Sequence, residues 1–198
     1  MNMSRRQLLG AAVVTSAGLL ADRALASVGL PAQPNVLQQA KAALQTHAQH
    51  IPHRDVIGVV DFSLPSRLPR FHLVELTNGR TSTMLVAHGS GSDPANSGWL
   101  ERFSNTPGSN ASCNGSFVTA ETYNGKHGRS RKLIGLDPMN SMAESRAIVI
   151  HEAGYVSDGM ARSQGRVGRS QGCFAVSARD IDEVLGRLGP GRLLFAAK

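Results

Sequence analysis

Two side chains in this 198-residue sequence have the chemistry to act as nucleophile and base. Cys173 ends the run Gly168-Arg169-Ser170-Gln171-Gly172-Cys173, and His151 ends the apolar run Ala147-Ile148-Val149-Ile150-His151. A thiol is a weak nucleophile until a neighbouring base makes it a thiolate, and imidazole is suited to that work. The competing reading of Cys173 is structural. It is either a buried apolar residue or half of a disulfide with Cys113, the only other cysteine.

Other residues near this pair invite readings of their own. Ser170 either hydrogen-bonds within a site or caps a turn, and Arg169 either clamps a carboxylate or is a solvated surface group. Tyr123 lines a cleft or packs in a core. His88 lies at the end of an apolar run before Gly89, and His127 sits in a polar loop; each is a candidate substrate contact beside a structural alternative. His151-Glu152 suggests zinc, but the helical His-Glu-x-x-His pattern fails because Tyr155 occupies its last place, so no metal is expected.

The elements that must hold these groups follow from the pattern. Val36–Leu44 reads as an amphipathic helix that ends before Pro52. Val56–Phe62 is a strand, and Asn78-Gly79 between the runs 70–76 and 81–88 signals a hairpin. Residues 89–115, rich in Gly, Ser, Asn and Pro, read as a functional loop. Further strands are expected over 116–123, 147–151 and 192–196, with a short helix over 139–146. A second long loop, 154–172, joins His151 to Cys173. Ser177-Ala178-Arg179-Asp180 reads as the cap of a helix running to Leu188, where Gly189-Pro190-Gly191 stops it. The class is mainly β (β-rich α+β), with short peripheral helices and long active-site loops.

The first 26 residues read as an export signal. Arg5-Arg6 precedes an uncharged run, Leu8–Leu20, that is too short for a stable membrane anchor. Ala24-Leu25-Ala26 is a small-x-small cleavage site, and the arginine pair resembles the twin-arginine class. The mature chain would then run 27–198, as an N-terminal helix and linker over 27–54 and one domain over 55–198, outside a bacterial cytoplasm. No second run is long enough for a membrane helix. The formal charge of +7 falls to +5 once Arg5, Arg6, Arg23 and Asp22 are removed. The remaining basic residues are dispersed, apart from the tract Arg129-Ser130-Arg131-Lys132, and do not alternate with aromatics, which argues against a nucleic-acid platform.

From Asp55 onward the chain resembles the murein L,D-transpeptidase catalytic domain family, a diverged branch of the YkuD-type L,D-transpeptidases. The likeness lies in a collinear set: Asp61-Phe62-Ser63, Val86-Ala87-His88-Gly89, and Phe103-Ser104-Asn105-Thr106-Pro107-Gly108-Ser109. Gly115–Tyr123, Gly125-Lys126-His127-Gly128, Ser145-Arg146-Ala147-Ile148-Val149 with His151, and Gly165–Cys173 complete it. The resemblance implies a β-sandwich-like catalytic domain that needs no cofactor and acts on peptidoglycan stem peptides. It implies that Cys173 is the nucleophile and His151 its base, attacking the bond before the terminal D-alanine of a tetrapeptide stem. A thioester would form and pass to an amine, making a cross-link, or to water, as in an L,D-carboxypeptidase. The backbone amides of Gly172 and Cys173 are then the expected oxyanion donors. The commoner family pattern has a second histidine where Gln171 stands, and Asn or Arg where Ala175 stands. These departures bear on substrate choice and on transfer against hydrolysis, and they make Gln171 a further candidate contact. A non-catalytic wall-binding module with a Cys113–Cys173 disulfide is the remaining alternative.

Overall fold

The computed structural model describes residues 34–198, so the expected export signal and its cleavage site lie outside the described residues. The first helix, α1 (Pro34–Thr46), buries Val36, Ala40 and Leu44, one residue per turn on one face. That face packs on Ile57 and Val59 of β1 (Val56–Asp61) and on Leu193 and Phe195 of β8 (Leu193–Ala197). Both faces of β1 are therefore buried, which is why its sequence is apolar throughout rather than alternating.

The remaining strands are β2 (Phe71–Glu75), β3 (Thr81–Met84), β4 (Gly115–Gly125), β5 (Gly128–Gly135), β6 (Val149–Glu152) and β7 (Phe174–Val176). They form one sheet in the order β3-β2-β1-β8-β4-β5-β6-β7. The β1/β8 and β6/β7 pairs are parallel and the others antiparallel. The sheet curls until its two edges meet. Beyond β3, the Ala87 amide donates to the Ala175 carbonyl of β7 at 2.8 Å. The space enclosed holds the main core, with Val60, Leu73, Phe117, Leu133, Ile150, Phe174 and Leu194. Phe174 stacks on Phe62 at 6.1 Å and meets Phe117 edge-on at 5.6 Å. Gly58 faces the same interior, where a Cβ would come within 2.8 Å of Leu194 Cδ1 and 2.9 Å of Leu188 Cδ2. Only a glycine lets α3 (Ile181–Arg187) and its following Leu188 approach β1 this closely.

The β-rich class, α1, the hairpin at Asn78-Gly79 and the helix after Ser177 follow the sequence pattern. Several expectations are corrected. β3 stops at Met84, because Leu85–His88 peels away from β2 to reach the opposite edge. Residues 139–146 form a 3-10 turn at Pro138–Asn140 followed by further turns, not a helix. The 154–172 segment contains α2 (Asp158–Gln164), capped by Ser157, whose Oγ accepts the Met160 amide, and closed by Gly165 at φ +67°. β5 and β7 occupy segments in which no strand was expected.

Candidate active site

β6 and β7 lie side by side and parallel, with Ile150 opposite Phe174 and His151 opposite Ala175. Cys173 immediately precedes β7. Because strand side chains alternate, anchoring Phe174 in the core turns Cys173 to the opposite face, the face that carries His151. Both line a cleft of about 720 Å³. Cys173 is half-buried and free, and its thiol contacts the Ala147 carbonyl at 3.5 Å. Ala147 holds the left-handed conformation (φ +52°), a sterically costly geometry for a residue with a Cβ, in the turn that enters β6.

His151 is 2% exposed. Its Nδ1 lies 2.7 Å from the Glu152 carbonyl. A carbonyl only accepts, so Nδ1 carries the hydrogen and Nε2 is the basic nitrogen. Burial pushes the His151 pKa down, reinforced by the charges of His127 and Lys126 and opposed by the Glu152 carbonyl and carboxylate. Burial pushes the Cys173 thiol up, opposed by a backbone hydrogen bond at Val149 and by the charges of Arg146 and Lys126. Both shifts favour the neutral forms. A neutral thiol and a neutral imidazole side by side are the forms that general-base activation of a thiol would start from.

The turn before Cys173 is internally braced. Ser170 Oγ donates to the Cys173 carbonyl at 2.7 Å and accepts the Gly172 amide at 3.1 Å. The Gly172 amide, an expected oxyanion donor, is thus engaged within the turn by the Ser170 hydroxyl. Gly172 sits at φ +117°, where a Cβ would meet the Ala111 carbonyl at 2.7 Å.

His88 is also corrected. It is fully buried and does not line the cleft. Its Nδ1 accepts from Arg70 Nη2 at 2.6 Å, and its Nε2 donates to Asp93 Oδ2 at 3.3 Å. Burial and the Arg70 charge push its pKa down to about 4, against the pull of Asp93. The His88 carbonyl accepts the Ser170 amide at 2.9 Å, and the Ser90 amide donates to the Ser170 carbonyl at 2.8 Å. His88 therefore supports the turn that carries Cys173.

The other expected residues do meet in the cleft. Tyr123, 37% exposed, lies on β4, and His127 in the β4–β5 turn stacks on His151 at 4.5 Å. Arg169 and Gln171 line the same wall as Cys173, with Arg169 Nη1 donating to the Asp93 carbonyl.

Three cleft residues escaped the sequence reading. Arg146 bonds the carbonyls of Ser104 (2.7 Å) and Ala111 (2.5 Å) and the Ser109 hydroxyl (3.3 Å), tying down the 104–111 wall. It stood in a quoted motif, but nothing local showed what it would hold. Lys126 and Tyr155 are the others, and burial pushes the Tyr155 hydroxyl up to about 12. Cys113 lies in the core with its sulfur 3.6 Å from Arg146 Nη1, while Cys173 faces the cleft. Both cysteines are free, so the disulfide alternative does not match the structure. Among the described residues no group of three metal-ligating side chains converges.

The domain is curled and β-rich, and it presents a cysteine just before β7 and a histidine on β6 to one cleft. The chain matches the L,D-transpeptidase catalytic domain family over residues 31–197, and it belongs to that family. No curated protein matches it. An L,D-transpeptidase structure from Mycobacterium smegmatis is 13% identical with a TM-score of 0.45, covering 73% of this chain and 59% of that one. L,D-transpeptidase 3 from Mycobacterium tuberculosis, in complex with a faropenem-derived adduct, is 12% identical (TM-score 0.45; 73% and 60% covered). A helical cell shape determining protein from Campylobacter jejuni is 10% identical (TM-score 0.46; 84% and 57% covered). The chain thus spans about three fifths of the length of these structures, and its membership rests on the family match.

Proposed function

We propose that this protein is a cysteine-dependent L,D-transpeptidase acting on peptidoglycan stem tetrapeptides outside the cytoplasm. The observation that carries the reading is the free Cys173 thiol and the basic Nε2 of His151 in one cleft of a family member. His151 Nε2 takes the thiol proton as Cys173 sulfur attacks the carbonyl carbon of the stem's third residue. The Cys173 amide faces the developing oxyanion. The carbon–nitrogen bond then breaks, and His151 returns the proton to the leaving amine of D-alanine. The thioester is attacked by the side-chain amine of a second stem, His151 accepts that amine's proton, and the thiol is regenerated. Attack by water instead gives an L,D-carboxypeptidase from the same intermediate.

The test is intact-mass analysis of the protein mixed with a tetrapeptide stem. A mass gain equal to the stem minus D-alanine is expected, lost in Cys173→Ala. Cross-linked product should form when an amine-bearing stem is added; free tripeptide alone would assign hydrolysis. D-Alanine release that persists in Cys173→Ala would reject the mechanism.

A further inference from the structure

The charge of the cleft is one-sided. Its lining includes Lys126, Arg146, Arg169 and two histidines, and among the described residues no Asp or Glu. The neighbouring carboxylates are directed elsewhere. Glu144 lines a separate cavity of about 200 Å³, Glu121 pairs with Lys132 at 2.6 Å, and Glu152 lies beside Gly128 at the foot of the β4–β5 turn.

The three cations are not equivalent. Arg146 is occupied in holding the 104–111 wall. Lys126 is exposed on the β4–β5 turn and has no hydrogen bond or ion pair among the described residues. Arg169, which lines the cleft, commits one nitrogen, Nη1, to the Asp93 and Pro94 carbonyls and leaves Nε and Nη2 of its fork uncommitted among the described residues. Two cations with donors to spare, beside Cys173 in a cleft that no carboxylate lines, match an anionic ligand.

We propose that Lys126 and Arg169 form a carboxylate-binding pair flanking Cys173, and that they select donor stems whose acidic side groups are free rather than amidated. This rests on the transpeptidase reading above and names its substrate class. The terminal D-alanine carries one carboxylate, and acidic residues of a stem carry others that are either free or masked as carboxamides. Lys126 reaches the stem from the turn whose next residue, His127, stacks on His151; Arg169 reaches it from the segment entering the nucleophile's turn. A carboxamide satisfies a hydrogen bond but not a charge, so masking removes the main attraction.

The experiment uses the full chain carrying Cys173→Ala and fluorescently labelled tetrapeptide stems, one with free side carboxylates and one with carboxamides. Fluorescence anisotropy should show the free form binding more tightly, with the preference shrinking as salt rises. Lys126→Met and Arg169→Met should each weaken the free form about fivefold, the scale of one exposed ion pair, and leave the carboxamide form unchanged. Lys126→Arg should retain the preference. Equal binding of the two stems, or no binding of either, overturns the proposal. Acylation of wild-type protein is read separately by intact mass. Absent acylation with the preference intact defeats the transpeptidase reading alone. Acylation without preference defeats the carboxylate pair alone.

Discussion

Moving from pH 7 to pH 5 should remove a large part of this domain's stability, through two histidines that cannot accept a proton while folded. His72 and His88 are both fully buried, and burial is the main force pushing each pKa down to about 4. His72 Nδ1 is 3.1 Å from Thr83 Oγ1, and its buried Nε2 has no partner among the described residues. A proton on His88 would place a second cation against Arg70. In the unfolded chain both titrate near 6.5. The folded pKa is the lower one, so the contribution is complete above the unfolded value and is lost as pH falls from about 6.5 toward about 4. Integrating proton uptake between pH 7 and 5 gives a loss of about 2 kcal/mol for each histidine. His151, also shifted down, acts in the same direction. Against a typical total of about 5–15 kcal/mol, this is a substantial fraction. Equilibrium urea unfolding at half-unit pH steps measures it. His72→Gln keeps a partner for Thr83 but cannot titrate, and it should flatten the pH dependence by about 2 kcal/mol over this interval. A urea midpoint that stays constant from pH 7 to 5, or an unchanged slope in His72→Gln, would refute the reasoning.

Three further outcomes follow from the site. Gly172→Ala should cost about 2–4 kcal/mol, combining a left-handed backbone with a Cβ pressed on the Ala111 carbonyl, and should abolish acylation of Cys173; thermal melting and intact mass check the two effects. Arg146→Met should raise the pH midpoint of Cys173 alkylation by iodoacetamide and speed proteolysis within 104–111, with Arg146→Lys intermediate; an unmoved midpoint would show that its charge does not reach the thiol. The acid limb of kcat/KM for acylation should fall below pH 6.5, because the lowered His151 pKa keeps the base neutral into mild acid; a limb centred above pH 7 contradicts the assignment.

The parts legible in the sequence were those whose signal is local. Asn78-Gly79 specifies a hairpin because Gly79 supplies the positive φ, and α1 declares its buried face by spacing alone. β5 is hidden in the sequence by Arg129-Ser130-Arg131-Lys132, a basic tract with no alternation of apolar residues. Yet Arg131 is buried, its guanidinium donating to the carbonyls of Ala120 on the partner strand β4 and of Leu185 on α3, 54 residues away in sequence. β7 is three residues long, too short for any period to show. α2 carried its cap in Ser157 and its stop in Gly165, but it buries only Ala161 and so lacks an apolar stripe. Cys173 and His151 stand out in the sequence because their flanking residues carry a motif, and the structure brings both to one cleft. His88 stands open in the sequence between a substrate contact and a structural role, because Arg70, which holds its Nδ1, comes from a separate segment.

The position of β8 has a consequence for how the chain reaches its fold. This strand comes last in sequence, yet it lies in the middle of the sheet, between β1 and β4. The order of assembly cannot follow the order of synthesis. Until residues 193–197 arrive, β1 with its hairpin and β4 with its own have no common strand to join them. The last strand must insert between two strands, β1 and β4, written more than 60 residues earlier, as the pairs Val60–Ala196 and Phe117–Leu194 illustrate. Contacts this distant in sequence close late and slowly. A chain caught before that step would display two open strand edges at once, which is the state a folding helper would have to shield.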